Sequence, residues 1–144
     1  MLTRSAVHWM VSLIVLSVLF VSGCAQKRPV VVDVSSPEAT LKTFERARVL
    51  KDSKGMFHIM SRSYLLKYYG DNDVKQMQTL NDYVSKLHVT EKDHFEIVST
   101  DSLNGQIVRI MANQYEDEKI IAKNTHFYFV NENGVWKITS AELV

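Results

Sequence analysis

Few side chains in this sequence are spaced to do chemistry. Cys24 is the only cysteine among 144 residues, and its thiolate is the strongest nucleophile the chain offers. A lone cysteine closes no disulfide within the chain and builds no multi-cysteine zinc or iron–sulfur site. The histidines at 58, 88, 94 and 126 lack the i, i+4 or H-E-x-x-H spacing that sets two imidazoles toward one metal. His126 shares strand parity with Tyr128, on the face away from the core. Glu116-Asp117-Glu118 lacks the alternating ligands of a calcium loop and reads as a solvated hairpin tip. Asp93 and Asp101, at strand ends, are the carboxylates to weigh for proton transfer. Gly-x-Ser-x-Gly, P-loop and dinucleotide fingerprints are absent, and nothing calls for a metal or cofactor.

What precedes Cys24 gives it a role. Arg4 is the only charged residue before Lys27, and Met10 to Val21 is a run of twelve interrupted by only two serines. A basic start, an apolar stretch of this length and small residues at its end form a secretory signal. A permanent span would need roughly 20 apolar residues. Val21-Ser22-Gly23-Cys24 resembles the bacterial lipobox, in which small residues let the backbone enter the peptidase and the thiolate takes up the lipid. Ala25 stands where an inner-membrane retention signal would have aspartate. The expected organisation is therefore a signal peptide over 1–23, a lipidated tether over 24–34 and a folded domain over 35–144. The tether is read as holding that domain in the periplasm, at the outer membrane. Acyl chains anchor firmly at about 0.8 kcal/mol per buried CH₂. Within the tether, Pro29-Val30-Val31-Val32 could instead add an edge strand.

The rest of the chain has ordinary globular composition, with 46% hydrophobic, 10% aromatic and 23% charged residues. One domain fits the length. Because Arg4 is the only charge in 1–23, the remainder carries 16 Lys and Arg against 16 Asp and Glu. A neutral domain gives no electrostatic case for nucleic acid.

The elements that must position any site follow from period and punctuation. Ser36-Pro37-Glu38 is an N-cap, a proline at the first helical position and a first-turn carboxylate. Pro37, Leu41, Phe44 and Ala47 then share one face of a helix reaching about Lys51. Asp52-Ser53-Lys54-Gly55 breaks it. Residues 56–69 read as a short helix that Ser61-Arg62-Ser63 can recap, and a third helix runs from about Asp73 to Leu87, with Val74, Met77, Leu80, Val84 and Leu87 as its stripe. From His94 the period becomes two. Asn104-Gly105 and Asn133-Gly134 are the dipeptides of type I′ hairpins, since both central residues need positive φ. The expected fold class is α+β: three N-terminal helices packed on a curved four-stranded antiparallel meander.

If both Asn-Gly loops have two residues, register follows. Phe95, Ile97, Ile110, Phe127, Phe129, Trp136 and Ile138 then face the helices, and Asp101 shares the parity of Phe95. The opposite face carries Val98, Ile107, Arg109, Met111, Tyr128 and Val130. That is more apolar surface than a solvated sheet usually shows, and a homodimer or another envelope protein would cover it.

The opening Ser36-Pro37-Glu38-Ala39-Thr40-Leu41-Lys42-Thr43-Phe44 and the closing Asn133-Gly134-Val135-Trp136-Lys137-Ile138 frame an order of helices and strands that resembles small secreted lipoproteins of the nuclear transport factor 2-like superfamily. The resemblance implies a cone whose curved sheet wraps over helices. It also implies isomerases, dehydratases and many non-catalytic modules among the relatives, so fold alone settles no activity. In the enzymatic members a carboxylate or histidine enters the cone beside a tyrosine. Here the cone-facing strand positions are Phe, Ile, Val, Ala and Ser, which leaves Tyr64, Tyr83 and Asp101 as the residues to test for catalysis. A cone mouth lined by Tyr64, Tyr68, Tyr83, Phe127, Phe129 and Trp136 would suit a small apolar ligand, although a domain of this size must bury its aromatics in any case. The expectation is a non-catalytic binding module.

Overall fold

The computed structural model describes residues 28–140. Cys24, the signal stretch 1–23 and the last residues 141–144 lie outside the described residues.

Each helix begins where a short polar side chain accepts from the backbone three residues on, which satisfies one of the orphan N–H groups of a first turn. Ser36 accepts from Ala39 N–H at 3.1 Å and starts α1, Pro37–Leu50. Lys51 ends it in the left-handed region at φ 53°. Asp52 follows at once as the cap of α2, Ser53–Ile59, accepting from Gly55 N–H at 3.0 Å. The Asp-Ser-Lys-Gly stretch expected only to break a helix therefore also starts one. Ser61 caps α3, Arg62–Tyr68, and Asn72 caps α4, Asp73–Lys86.

There are four helices where three were expected. The middle one splits because Met60 and Ser61 are extended and lie along the sheet. Met60 bridges Ile138 in parallel, and Ser61 N–H donates to Ile138 O at 2.8 Å. The tertiary pairing thus falls where Ser61 was read as able to recap the helix, and that cap forms, Ser61 Oγ accepting from Tyr64 N–H at 3.2 Å. Along α4 the stripe also shifts. Leu80 and Val84 are buried, but Val74 is 69% exposed and Gln76 is buried instead, its amide donating to Gly70 O at 2.9 Å.

The strands β1 (His94–Asn104), β2 (Ile107–Glu116), β3 (Lys119–Glu132) and β4 (Val135–Thr139) form an antiparallel sheet in the order 1-2-3-4. The molecule is α+β, with four helices and a four-stranded antiparallel sheet. Asn133-Gly134 forms the anticipated turn, with φ of 57° and 85° between the paired Glu132 and Val135. Asp117 and Glu118 form the β2–β3 turn with φ of 44° and 70°, a region that aspartate enters more readily than glutamate.

The first hairpin differs. Asn104 pairs with Ile107, so its loop is Gly105-Gln106 and not Asn104-Gly105. Gln106 is drawn toward β3, where its carbonyl accepts from Asn131 N–H at 2.8 Å, while Asn104 Oδ1 accepts from Gln106 N–H. Register shifts between Ser102 and Asn104, and again between Ile97 and Ser99, absorb the difference. Between these irregularities every side chain changes face relative to the expected parity, because the side-chain period is two.

One face of the sheet closes on the helices. Ile110, Ala112 and Phe129 are fully buried there against Leu41, Ala47, Met56, Ile59, Leu65, Leu80 and Val84. Phe44 of α1 packs on Phe95 and Phe127, both at 6.2 Å, and the Arg48 guanidinium lies over the Phe44 and Phe95 rings. Residues 30–34, expected within the tether, join this body. Val30 N–H donates to Asp52 Oδ2, Asp33 exchanges two bonds with the Thr43 hydroxyl, and Val34 O accepts from Trp136 N–H. The outer edge of β4 is covered by this segment and by Met60-Ser61.

Candidate functional site

The six aromatics proposed to line a cone mouth fall into separate packing groups. Phe129 is fully buried at the centre of the core. Phe127 stacks edge-on with Phe95 at 4.9 Å and with Phe44. Trp136 packs half-buried against the core cluster and is pinned by its bond to Val34. Tyr64 sits on α3 against Tyr68 at 4.7 Å and Tyr69 at 6.2 Å, with Tyr83 of α4 near enough to act on both Tyr64 and Tyr69 electrostatically. Tyr68 and Tyr83 are 48% and 37% exposed. Ring packing therefore consumes the surface that a shared ligand pocket would need.

The catalytic candidates separate in the same way. Burial, followed by the charges that Tyr68 and Tyr83 would carry, holds the Tyr64 phenol above its ordinary range. A phenol that retains its proton is a poor base near neutrality. Asp101, expected to face the helices, faces away from them. The bulge at Val98 reverses parity between Ser99 and Ser102, so Asp101 pairs with Arg109 and Thr100 turns inward, its hydroxyl donating to Glu38 Oε1. The Asp101 carboxylate accepts two bonds from Arg109, at 2.8 and 3.3 Å. Asp93 is also engaged, accepting from the N–H groups of Thr90 and Asp117. It staples the turn before β1 to the β2–β3 hairpin.

The outer face is where strand register gathers expected residues. Ile107 pairs with Val130, Arg109 with Tyr128 and Met111 with His126. These are side-by-side contacts across β2 and β3, all on the face opposite Ile110 and Phe129. Ile107, Arg109, Met111, Tyr128 and Val130 are half-buried. Val98 is not in this row: it is the extra residue of the bulge, 49% exposed at the β1 edge. The Asp101–Arg109 ion pair lies in the middle of the face, partly open to solvent.

A second feature was out of reach of sequence reasoning. A cavity of about 240 Å³ opens at the α2–α3 break, floored by Met60 and Leu65 and rimmed by Arg62, Asp73, Glu132 and Lys137. Its walls come from α2, α3, α4, the end of β3 and β4. No spacing along the chain announces it; Arg62, Asp73 and Glu132 look like any solvated surface charge in the sequence. Among the described residues, no group of three His, Cys, Asp or Glu side chains is placed to hold a metal ion, and no helix is long and apolar enough to cross a membrane.

No protein-family model matches this chain, and neither does any curated protein. Among solved structures, the chain is similar to a SEC-C motif containing protein from Psychrobacter arcticus, with a TM-score of 0.50 at 12% identity, over 76% of this chain and 62% of that one. The chain thus spans less than two-thirds of that protein's length, and at this identity the likeness concerns the fold alone.

Proposed function

We propose that this chain is a bacterial envelope lipoprotein, lipidated at Cys24 and carried at the outer membrane. Its periplasmic domain, a nuclear transport factor 2-like cone of helices on a curved meander, works by docking and not by catalysis. The observation that carries the docking reading is the outer sheet face, where Ile107, Met111, Tyr128 and Val130 are neighbours around one Asp101–Arg109 pair. The occupant we assign is a second copy. A twofold axis passing between Asp101 and Arg109 would set each opposite its counterpart, while the apolar row supplies area to bury. For the anchor, the support is the apolar run ending in Val21-Ser22-Gly23-Cys24 and the single cysteine. Against an apolar-ligand carrier stands the use of Phe127 and Phe129 in core packing. Against an isomerase or dehydratase stands the commitment of Asp101 to Arg109.

Light scattering of the purified full chain in mild detergent tests the docking face. The wild type runs as a dimer, and Ile107→Lys with Met111→Lys runs as a monomer with the same circular dichroism. A monomeric wild type, or a double variant of unchanged mass, overturns it. Fractionation tests the anchor separately: Cys24→Ser leaves the membrane fraction, and continued membrane association would exclude lipidation there.

A further inference from the structure

The cavity at the α2–α3 break combines three properties that rarely coincide on a solvated surface. Its floor is apolar: Met60 is 4% and Leu65 5% exposed, and Phe57 adds a half-buried ring. Buried Gln76 lines it and holds its amide donor on Gly70 O. Its rim carries both signs of charge, Arg62 and Lys137 against Asp73 and Glu132. Among the described residues, Arg62, Asp73 and Glu132 form no ion pair. Lys137 reaches across to bond the His58 carbonyl, which fixes its ammonium at the rim.

Opposite charges that share a cavity without closing on one another leave a gap for something that carries both. An inorganic anion placed there would face Asp73 and Glu132; a simple amine would face Arg62 and Lys137. Each would meet repulsion as well as attraction. A zwitterion meets neither penalty. At about 240 Å³ the space is smaller than the ~300–1,000 Å³ typical of drug-sized ligands. We propose that this cavity binds an amino acid or dipeptide, its carboxylate on Arg62 and Lys137, its ammonium on Asp73 and Glu132, and a short aliphatic side chain on Met60 and Leu65. The guanidinium suits the carboxylate because it offers paired donors in a fixed fork. The assignment is independent of the sheet face and survives if that face is bare.

The test is an amide-resolved NMR titration of the full chain in detergent with L-alanyl-L-alanine. In parallel run the same dipeptide acetylated and amidated at its ends, and inorganic phosphate. Saturable shifts at Arg62, Asp73, Gln76 and Lys137 are expected with the free dipeptide, at an affinity at least tenfold better than the blocked one. Arg62→Gln and Asp73→Asn each weaken binding about tenfold, since each removes a charge-assisted contact. Both positions are exposed, so the native spectrum should persist; where it does not, Glu132→Gln replaces the failing variant. Equal binding of the blocked dipeptide overturns the proposal, as does the absence of saturable shifts. Phosphate binding as tightly as the dipeptide overturns it too, because the site would then read anions alone.

Discussion

Ile110 and Met111 are consecutive in β2, yet they answer to different parts of the molecule. Ile110 is fully buried with Ala112 and Phe129 beneath four helices, and its size is set by the space those helices leave. Met111 sits half-buried beside His126 on the other face, amid cross-strand pairs and one ion pair. On the inner face a change of volume must be felt throughout the core, because protein interiors are close-packed. On the outer face the neighbours are lateral, and a substitution can be absorbed by solvent or by whatever docks there. The comparison separates residues that make the fold from residues that the fold displays.

The hardest test of that separation is a pair of truncations one residue apart. Phe129→Ala should lower unfolding free energy by about 3–5 kcal/mol, the usual cost of emptying an aromatic site in a core. Tyr128→Ala should lower it by less than about 1.5 kcal/mol. Urea titrations of both would settle it, and equal losses would dissolve the distinction.

A smaller effect is expected at Asp52, where the N-terminal segment is tied to the inner side. Burial alone would raise this carboxyl. The backbone N–H groups of Gly55, Val30 and Lys54, with the charge of Lys54, outweigh it and hold the group below its ordinary value. Asp52→Ala should cost about 1–2 kcal/mol through the lost helix cap and the freed Val30 strap. A carboxyl depressed in the folded state contributes stability above its unfolded value of about 3.9, and that contribution is lost as pH falls through the folded value. Asp52→Asn, which keeps a capping oxygen, should therefore flatten the decline in melting temperature below about pH 4. An unchanged acid limb would deny Asp52 that role.

The least effect is expected on the outer face itself. Asp101→Asn breaks an ion pair that is partly open to water, and such pairs contribute about 0–1 kcal/mol. The loss should shrink further in high salt. A loss of core size would mean that Asp101 supports the sheet more deeply than its exposure suggests.

Much of this arrangement could be read along the chain, and the reasons are local. Ser36 and Ser61 cap helices because an oxygen three residues upstream of an N–H needs no distant partner. Asn133-Gly134 turns because both residues tolerate positive φ. Period two from His94 onward announces strands. Asn104-Gly105 carries the same signal, yet the loop moved one residue on. There a bond from Asn131 to the Gln106 carbonyl, made by a strand not yet in the local window, decided the register. The bulge at Val98 then turned Asp101 outward.

The sequence by itself determined the class of fold, with helices before strands, the caps at Ser36 and Ser61 and the turn at Asn133-Gly134. Those follow from backbone hydrogen-bond needs and from hydrophobic period, which act over a few residues. Tertiary structure alone decided the pairing of Met60 with β4, the docking of residues 30–34, the face that Asp101 occupies and the mixed-charge cavity. Each of these depends on groups distant in sequence meeting in space, and no spacing along the chain encodes that meeting.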